Sequence, residues 1–569
     1  VGYFKKEKNG VVYMLPYFVI APILIAIFLY AFSSNKAAKT IAILAQFILT
    51  AFSIRLFFQA REGELITNIG NYESIMGIIL RADTISAVFV ALTAISFLIA
   101  ALYSYSENEG KLFWFLIFIW QGLLIGIFLT RDLFNIFVLV EVAAVVVAVL
   151  IMYNRDNRSM YDGMFYLMTG IIAMQFYLFG LGYVYRLTGA LDMEVAAQVL
   201  SEIDRSSQIL PYALIITGIG LKCAILPLFS WLPKAHGSPS APTCVSALLS
   251  GVHIKSGIYL YMRVQPLFPA IDASEFFLVV GIITGITGFV LAMSQSDIKL
   301  LLAYSTISQV GLIMASLSIS GEYAQVGALY QAFNHSLFKA SLFMCAGILS
   351  KVYGTRNVDD IRGVIRRFPV IGAAMIMAIL GITGAPLFNG SISKYFIMYG
   401  TTWYVTWLLM IVNLGTIIVF VRFSTMLFGR YDDVKEDSAL LRRMQKMDTD
   451  VHRRDETVAP RNYSESVPKN KQFVIIVLGL VCLAGGIFGS QFITFLWGIE
   501  VSVETAGYLE KVAIFAGSVA VGILLYRYVV AKNVLLRKLR GIDFGFRGTC
   551  AALGGFFAAV LIVLGFFAK

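Results

Sequence analysis

The residues of this chain that could do chemistry are ionisable groups set inside apolar runs. Glu141 lies in Asp132-Leu-Phe-Asn-Ile-Phe-Val-Leu-Val-Glu141-Val-Ala-Ala. Lys222 lies in Gly218-Ile-Gly-Leu-Lys222-Cys-Ala-Ile-Leu-Pro227, and Lys255 in Ser250-Gly-Val-His253-Ile-Lys255-Ser-Gly. His335 and Lys339 follow one another in Asn334-His335-Ser-Leu-Phe-Lys339-Ala, and Lys394 ends Gly390-Ser-Ile-Ser-Lys394. A charge at the centre of a bilayer costs roughly 3 kcal/mol or more, so each needs a partner, a wet cavity or neutralisation. A desolvated lysine gives up its proton more readily, a nearby carboxylate opposes that, and an imidazole can pass a proton through its two nitrogens. The spacing of His335 and Lys339 puts both on one helical face, one turn apart. Glu141 and Lys222 are a candidate pair in which the acid sets which group holds the proton. The competing reading is a set of ion pairs that lock helices together. It serves for one residue, but four lysines on separate spans against one mid-span acid leave unbalanced positive charge of doubtful structural value. Arg422 and Arg527 stand near expected cytoplasmic ends, where they are read as snorkelling to water.

The elements that position these groups are membrane spans. The chain has 569 residues, 59% hydrophobic and 14% charged, well outside the range of soluble domains. A span needs about 20 mostly apolar residues. About sixteen such segments are found, near 11–32, 38–59, 83–105, 112–130, 132–153, 161–186, 209–232, 241–263, 275–295, 298–317, 325–350, 369–399, 402–429, 472–496, 507–530 and 545–568. The predicted fold class is therefore all-α and polytopic. Residues 11–32 read as a first span and not a cleaved signal, and with Val1 as the first residue a processed or missing start is expected. With both ends outside, the inner loops hold about 27 Lys and Arg against about 11 outside, as the positive-inside rule prefers. The long polar stretch 430–471 reads as a cytoplasmic loop, with a short surface helix expected from Ala439 to Met447. Residues 188–208 read as a shorter external link.

Two spans are interrupted. One carries Pro227 and then Trp231-Leu-Pro233; the other carries Gly384-Ala-Pro386-Leu-Phe-Asn-Gly390 just before Lys394. Proline removes a backbone donor, and broken backbone inside a membrane is tolerated where it lines a cavity or is covered by protein. Interrupted helices in corresponding halves point to an ion site, and a separation of five spans makes the two halves face opposite ways. Other classes find no support. The net charge of +11 fits basic inner loops without a nucleic-acid partner. The five scattered cysteines make no metal or iron–sulfur spacing, and no phosphate loop or cofactor motif is present.

At these residues the sequence resembles a known family. Trp231-Leu-Pro-Lys-Ala-His236-Gly-Ser-Pro-Ser-Ala-Pro242-Thr-Cys-Val-Ser-Ala-Leu-Leu-Ser-Gly-Val-His-Ile-Lys255 looks like the signature joining spans seven and eight of proton-translocating antiporter-like subunits. Those occur in respiratory complex I, Mrp-type sodium/proton antiporters and membrane-bound hydrogenases. Asp297-Ile-Lys-Leu-Leu-Leu-Ala-Tyr-Ser-Thr-Ile-Ser-Gln309-Val-Gly and Asn334-His-Ser-Leu-Phe-Lys339 match further family patterns, and the resemblance covers roughly residues 80–430. It implies a fourteen-helix core with two inverted five-helix repeats and broken helices 7 and 12. In this chain these map to N-terminal helices in 1–110, a first repeat in 111–263, a second in 275–429, a loop in 430–471 and C-terminal helices in 472–569. It also implies a polar axis in which Glu141 matches the acid of span five, Lys222 and Lys255 the lysines of spans seven and eight, His335 and Lys339 the link of span eleven, and Lys394 the lysine of span twelve. Asp132-Leu-Phe-Asn-Ile-Phe-Val looks most like the Mrp D-type protein and its hydrogenase relatives, and Lys234 leans toward the hydrogenase type. The two spans beyond residue 500 depart from the minimal fourteen-helix form, and 531–544 is too short for a long lateral helix.

The expected function is proton translocation, with sodium as the candidate exchanged ion, in concert with other membrane subunits of an antiporter, respiratory or hydrogenase complex and with no cofactor held by this chain. Protons are expected to start from the cytoplasm near the broken seventh and eighth spans. They then pass Lys222, Lys255 and His335 or Lys339 to reach Lys394, with Glu141 acting on Lys222 through its charge. The alternatives are an inert membrane scaffold and a quinone- or haem-binding subunit. A two-histidine haem would have only His253 and His335 to use inside the membrane.

Overall fold

The computed structural model describes residues 15–69, 77–237, 241–429, 466–542 and 544–567. The expected helix Ala439–Met447, most of the 430–471 loop and the first residues of the 11–32 span lie outside the described residues. The protein is predominantly helical. Among the described residues, thirteen helices are long and apolar enough to cross a membrane, and interrupted helices lie between them. Four helices come first, α1 (Leu15–Phe32), α2 (Asn35–Glu62), α3 (Thr84–Ser104) and α4 (Lys111–Leu129). They continue with α5 (Leu133–Ile151), α6 (Asn157–Thr188), the short α7 (Met193–Leu200) and α8 (Arg205–Cys223). Aspartate starts many of them. Asp83, Asp132, Asp156, Asp192, Asp204 and Asp297 each accept a backbone N–H of the first turn, satisfying donors that a helix leaves open, at about 1 kcal/mol per cap.

One detail differs from the sequence reading. A small antiparallel hairpin pairs β1 (Leu65–Ile69) with β2 (Ile78–Ala82), Leu65 opposite Ala82, in a chain expected to be all-α. The link 188–208 contains α7, whose apolar Ala196 and Leu200 are buried.

The helices carrying the candidate charges are broken where proline falls. Helix α8 stops at Cys223, Ala224 takes a left-handed conformation (φ 55°), the Leu226–Pro227 bond is cis, and α9 (Trp231–Gly237) follows. The next span is α10 (Thr243–Leu248), a π turn over Leu249–His253, and α11 (Ile254–Val264). Then come α12 (Ser274–Ser294), α13 (Ile298–Leu317), α14 (Glu322–Tyr353) and the one-turn α15 (Val364–Arg367). Helix α16 (Pro369–Thr383) stops before Gly384 (φ 82°), and α17 (Asn389–Met398) resumes beyond Pro386. The chain continues through α18 (Trp403–Ser424), α19 (Lys469–Ile487), α20 (Gly489–Trp497), α21 (Thr505–Leu525), α22 (Val534–Leu539) and α23 (Phe546–Ile562).

One backbone pattern occurs twice. Leu133 N–H donates to Leu191 O and Met193 N–H to Arg131 O; Ile298 N–H donates to Arg356 O and Val358 N–H to Ser296 O. Each clasp follows a helix of 32 residues, α6 or α14. Each is closed by an ion pair, Arg131–Asp192 at 2.6 Å and Arg356–Asp297 at 2.8 Å. The two lie at opposite ends of α4, a helix about 28 Å long at 1.5 Å per residue. Arg131 follows its C-terminus, whereas Arg356 shares a cavity with Glu107, just before its N-terminus. Helices α12 and α13 approach closely because glycine faces glycine: a β-carbon on Gly311 would lie 2.3 Å from Gly285 N. Such small-residue contacts substitute for hydrophobic association in lipid.

Candidate functional site

Lys222 occupies the last turn of α8, immediately before the break, and is 8% exposed. Its ammonium faces the Tyr166 ring of α6 at 6.0 Å from the centroid. Gly170 leaves the space it fills, since a β-carbon there would sit 3.2 Å from Nζ. Glu141, half-buried on α5, lies within electrostatic reach of Lys222 without a direct ion pair, and its buried Oε1 has no hydrogen-bond partner among the described residues. Tyr166 also meets His253: its Oη is 2.9 Å from Nε2, while Trp120 Nε1 donates to Nδ1 at 3.3 Å. Tyr166 and His253 thus stand beside Lys222, with His253 ending the π turn that precedes α11.

Lys255 is fully buried at the start of α11. Its Nζ donates to Ser250 O at 2.7 Å, on the π turn, and contacts His335 Nδ1 at 2.5 Å. With Lys255 donating, Nδ1 is the bare nitrogen, and Nε2 carries the ring hydrogen; it has no partner among the described residues. One turn along α14, fully buried Lys339 donates to Leu302 O at 2.8 Å and to Ser305 Oγ.

Lys394 lies on α17 beyond the second break and donates to Ile382 O (2.7 Å) and Asn413 Oδ1 (2.6 Å). The donor that an unbroken helix would bring to Ile382 O is residue 386, a proline without an N–H, so the break frees the carbonyl that Lys394 uses. Gly384 permits this approach. Its left-handed φ and its place 3.0 Å from Lys394 Cδ, measured from a would-be β-carbon, leave no room for a side chain. Lys394 opens on a cavity of about 50 Å³ whose far wall carries Lys511 of α21.

A chain of amides, which the sequence reading did not place in the site, leads toward Lys394. Gln309 Nε2 donates to Thr416 Oγ1 (3.1 Å), Gln331 Nε2 to Gln309 Oε1 (2.7 Å), and Ser393 Oγ to Gln331 Oε1 (2.5 Å). Gln331 sits one turn before His335, so Gln331, His335 and Lys339 share a face at i, i+4 and i+8. That spacing was legible in the sequence. His236 was likewise visible only as part of a motif. It is fully buried, neither ring nitrogen has a partner among the described residues, and it lies within electrostatic reach of Lys339 and Lys255. Arg422 corrects an expectation. It does not snorkel to water; it is 8% exposed, donating to Met293 O at 2.5 Å and pairing with Asp359 at 3.4 Å. The distance to a hydrated surface is closed by a carboxylate from the loop after α14 instead.

Together these groups form a buried polar line through an apolar body, running between two helix breaks. They can hold and exchange protons. Among the described residues, no group of three or more His, Cys, Asp or Glu is arranged to bind a metal ion.

Known proteins resemble this chain in sequence and in fold. The family described as NADH:quinone oxidoreductase/Mrp antiporter, transmembrane, matches residues 130–419. NADH-quinone oxidoreductase subunit N of Desulforudis audaxviator is 29% identical over 439 residues, covering 74% of this chain and 83% of the relative. The D-type member of the Na(+)/H(+) antiporter of Alkalihalophilus pseudofirmus is 28% identical over 390 residues, 66% of this chain and 78% of the relative. Two solved chains share the fold. One, from the membrane-bound sulfane sulfur reductase, an archaeal respiratory membrane complex, superposes with a TM-score of 0.74 at 20% identity, over 89% of this chain and 99% of the other. The other, from the Mrp complex of Dietzia sp., gives 0.73 at 19%, over 93% and 99%.

Proposed function

Because this chain belongs to the NADH:quinone oxidoreductase/Mrp antiporter transmembrane family, we propose that its buried axis is a proton path and that Glu141, Lys222, Lys255, His335, Lys339 and Lys394 are its stations. The chain is an antiporter-like, multi-pass subunit of a multisubunit ion-pumping complex of the Mrp and complex I type, and other membrane subunits are its partners. It works in a prokaryotic inner membrane, with both termini on the outer side. Sodium is the proposed exchanged ion, after the relatives that are named for Na(+)/H(+) antiport. The parent complex is of the Mrp, hydrogenase-related or complex I-like kind.

The observation that carries the reading is the contact of Lys255 Nζ with His335 Nδ1, both fully buried. A structural lock would bring opposite charges together. Here two bases meet, and two positive charges at that separation in an apolar site exclude one another. The pair therefore holds one exchangeable proton, shared between an amine and an imidazole. Lys339 beyond it and the amide chain toward Lys394 extend the path to one side; Tyr166, His253 and Lys222 extend it to the other. Glu141 acts on Lys222 through space, since a unit charge nearby in a water-poor site is worth several kcal/mol. The two clasps at opposite ends of α4, each after a 32-residue helix, support two inverted repeats, about 111–263 and 275–429, flanked by N- and C-terminal helices.

The test is proton uptake by vesicles carrying the intact complex, at equal membrane abundance, for wild type, Glu141→Ala, Lys222→Ala and Lys255→Ala. Loss of transport with assembly intact is expected, most completely for Lys255→Ala. Retained transport in all three would make the chain a scaffold.

A further inference from the structure

Loop 105–110, between α3 and α4, carries two glutamates two residues apart with different surroundings. Glu107 accepts from Lys351 Nζ at 2.7 Å on each oxygen and from Lys471 Nζ. These ends of α14 and α19 clamp it between two ammonium groups. Glu109 has no such clamp. Its partner is the Tyr153 hydroxyl, and Lys39 and Lys351 act on it only through space. Both acids line one cavity of about 170 Å³. Its inner wall is Thr243 and Cys244, the first turn of α10, with Lys299 donating to Ala241 O at 3.1 Å beside them. From that turn the helical run through the π turn reaches Lys255 about 18 Å farther on.

We propose that this cavity is the inner vestibule of the proton path and that Glu109 is the carboxyl group that takes protons from water and passes them inward, with Glu107 as its fixed counter-charge. This rests on the proton-path reading above. It assigns a role to a loop outside the spans that hold the axis. The groups facing Glu109 are Glu107 on its own loop, Tyr153 after α5, Lys39 of α2 and Lys351 of α14. Lys299 and Arg356 complete the charged lining of the cavity, and the thiol of Cys244 also feels the Glu109 charge. Burial works to raise the Glu107 carboxyl, but the bonds and charges of Lys351 and Lys471 outweigh it and hold the group below the usual carboxylate range. Burial raises Glu109, the Glu107 charge adds to this, and the more distant lysines do not cancel it. Two carboxyls driven apart in this way take different roles, one permanently charged and one exchanging. Glu107 contributes to the asymmetry, because its negative charge adds to burial in raising the carboxyl of its neighbour.

The experiment measures proton transport by the intact complex in vesicles as the pH on the vestibule side is varied, for wild type, Glu109→Gln, Glu109→Asp and Lys255→Ala. Glu109→Gln should slow transport about tenfold or more at neutral and alkaline pH. The deficit should shrink on acidification, as protons reach the inner wall without a carrier. Glu109→Asp should retain most of the rate. Wild-type rates for Glu109→Gln across the whole range, with Lys255→Ala inactive, would overturn the vestibule and leave the axis standing. Full transport by Lys255→Ala would overturn the axis and this inference with it. A second measurement needs no variant. Dicyclohexylcarbodiimide, which adds to protonated carboxyls in apolar surroundings, should label Glu109 and spare Glu107 in the wild-type complex, with the two distinguished by fragment mass spectrometry. Equal or reversed labelling would overturn the proposal.

Discussion

Replacing Gln331 by leucine removes the central link of the amide chain while keeping roughly the same volume. Gln331 is fully buried and makes two bonds, donating to Gln309 Oε1 at 2.7 Å and accepting from Ser393 Oγ at 2.5 Å. Ser393 keeps longer contacts to Asn389 O and Gly390 O at 3.3 Å, so Gln309 Oε1 is the acceptor left most exposed to desolvation. A neutral buried bond contributes about 1 kcal/mol and an orphaned partner costs about 1–3 kcal/mol, so a stability loss of about 2–3 kcal/mol is expected. If about 2 kcal/mol of this enters the barrier between His335 and Lys394, transport slows about thirtyfold. The assay is proton uptake in vesicles at matched abundance, alongside thermal unfolding of the purified complex. Gln331→Glu provides the control, because a protonated glutamate can donate and accept where glutamine did; its rate should recover as the pH falls. Transport by Gln331→Leu within about twofold of wild type, with the destabilisation present, would show that the chain is packing and that protons take another route.

Gly384→Ala should lower both stability and transport. Its φ of 82° penalises any side chain by about 1–2 kcal/mol, and a β-carbon 3.0 Å from Lys394 Cδ pushes that lysine off Ile382 O; an unchanged melting temperature would contradict this. Glu107→Gln should destabilise in a pH-dependent way. The folded-state pKa of Glu107 is depressed, so its contribution is present above the unfolded carboxylate range and is lost as pH falls through the folded value. Lys351 is 60% exposed, so its share should stay below about 1 kcal/mol at neutral pH. Lys471 is 7% exposed and loses a carboxylate partner inside the protein, so most of the difference from wild type comes from that pair. The difference should vanish in strong acid, as read from melting temperatures across pH.

The charges were legible because nothing else explains a lysine in the middle of an apolar run, and the breaks because proline cannot donate. Thus Lys222 with Pro227, and Lys394 with Pro386, could be placed at helix interruptions from types and spacing alone. What could not be read is which group each charge meets. Lys255 and His335 are eighty residues apart in the chain, and their contact depends on how α11 and α14 cross. Gln309 and Gln331 carry no charge, so a search for the cost of burying charge passes over them, although burying an unpaired amide is also expensive. Arg422 was misjudged for a related reason. Its position near a helix end suggested water, but Asp359 from another segment reaches it first.

At Lys255 and Lys394 the helix irregularities and the charges are one device. A lysine in hydrocarbon needs acceptors, and a regular helix uses nearly all of its carbonyls for its own N–H groups. Carboxylate partners would supply acceptors but would fix the proton in an ion pair. Here the ammonium groups turn to backbone oxygens: Ser250 O on the π turn for Lys255, Leu302 O for Lys339, Ile382 O ahead of Pro386 for Lys394, and Ala241 O before α10 for Lys299. Carbonyl acceptors solvate the charged form without binding it as tightly as a carboxylate would, and they remain in place when the proton leaves. A carrier supported in this way can be charged in one state and neutral in the next without losing its position. The single mid-span acid, Glu141, keeps its distance from Lys222 and so modulates that balance without ending it. Substituting a carboxylate at Ser250 or Asn413 would therefore be expected to stabilise the fold's charges and to stall the movement of protons through it, with a raised melting temperature beside lost proton uptake in vesicles; uptake at the wild-type rate would contradict the argument.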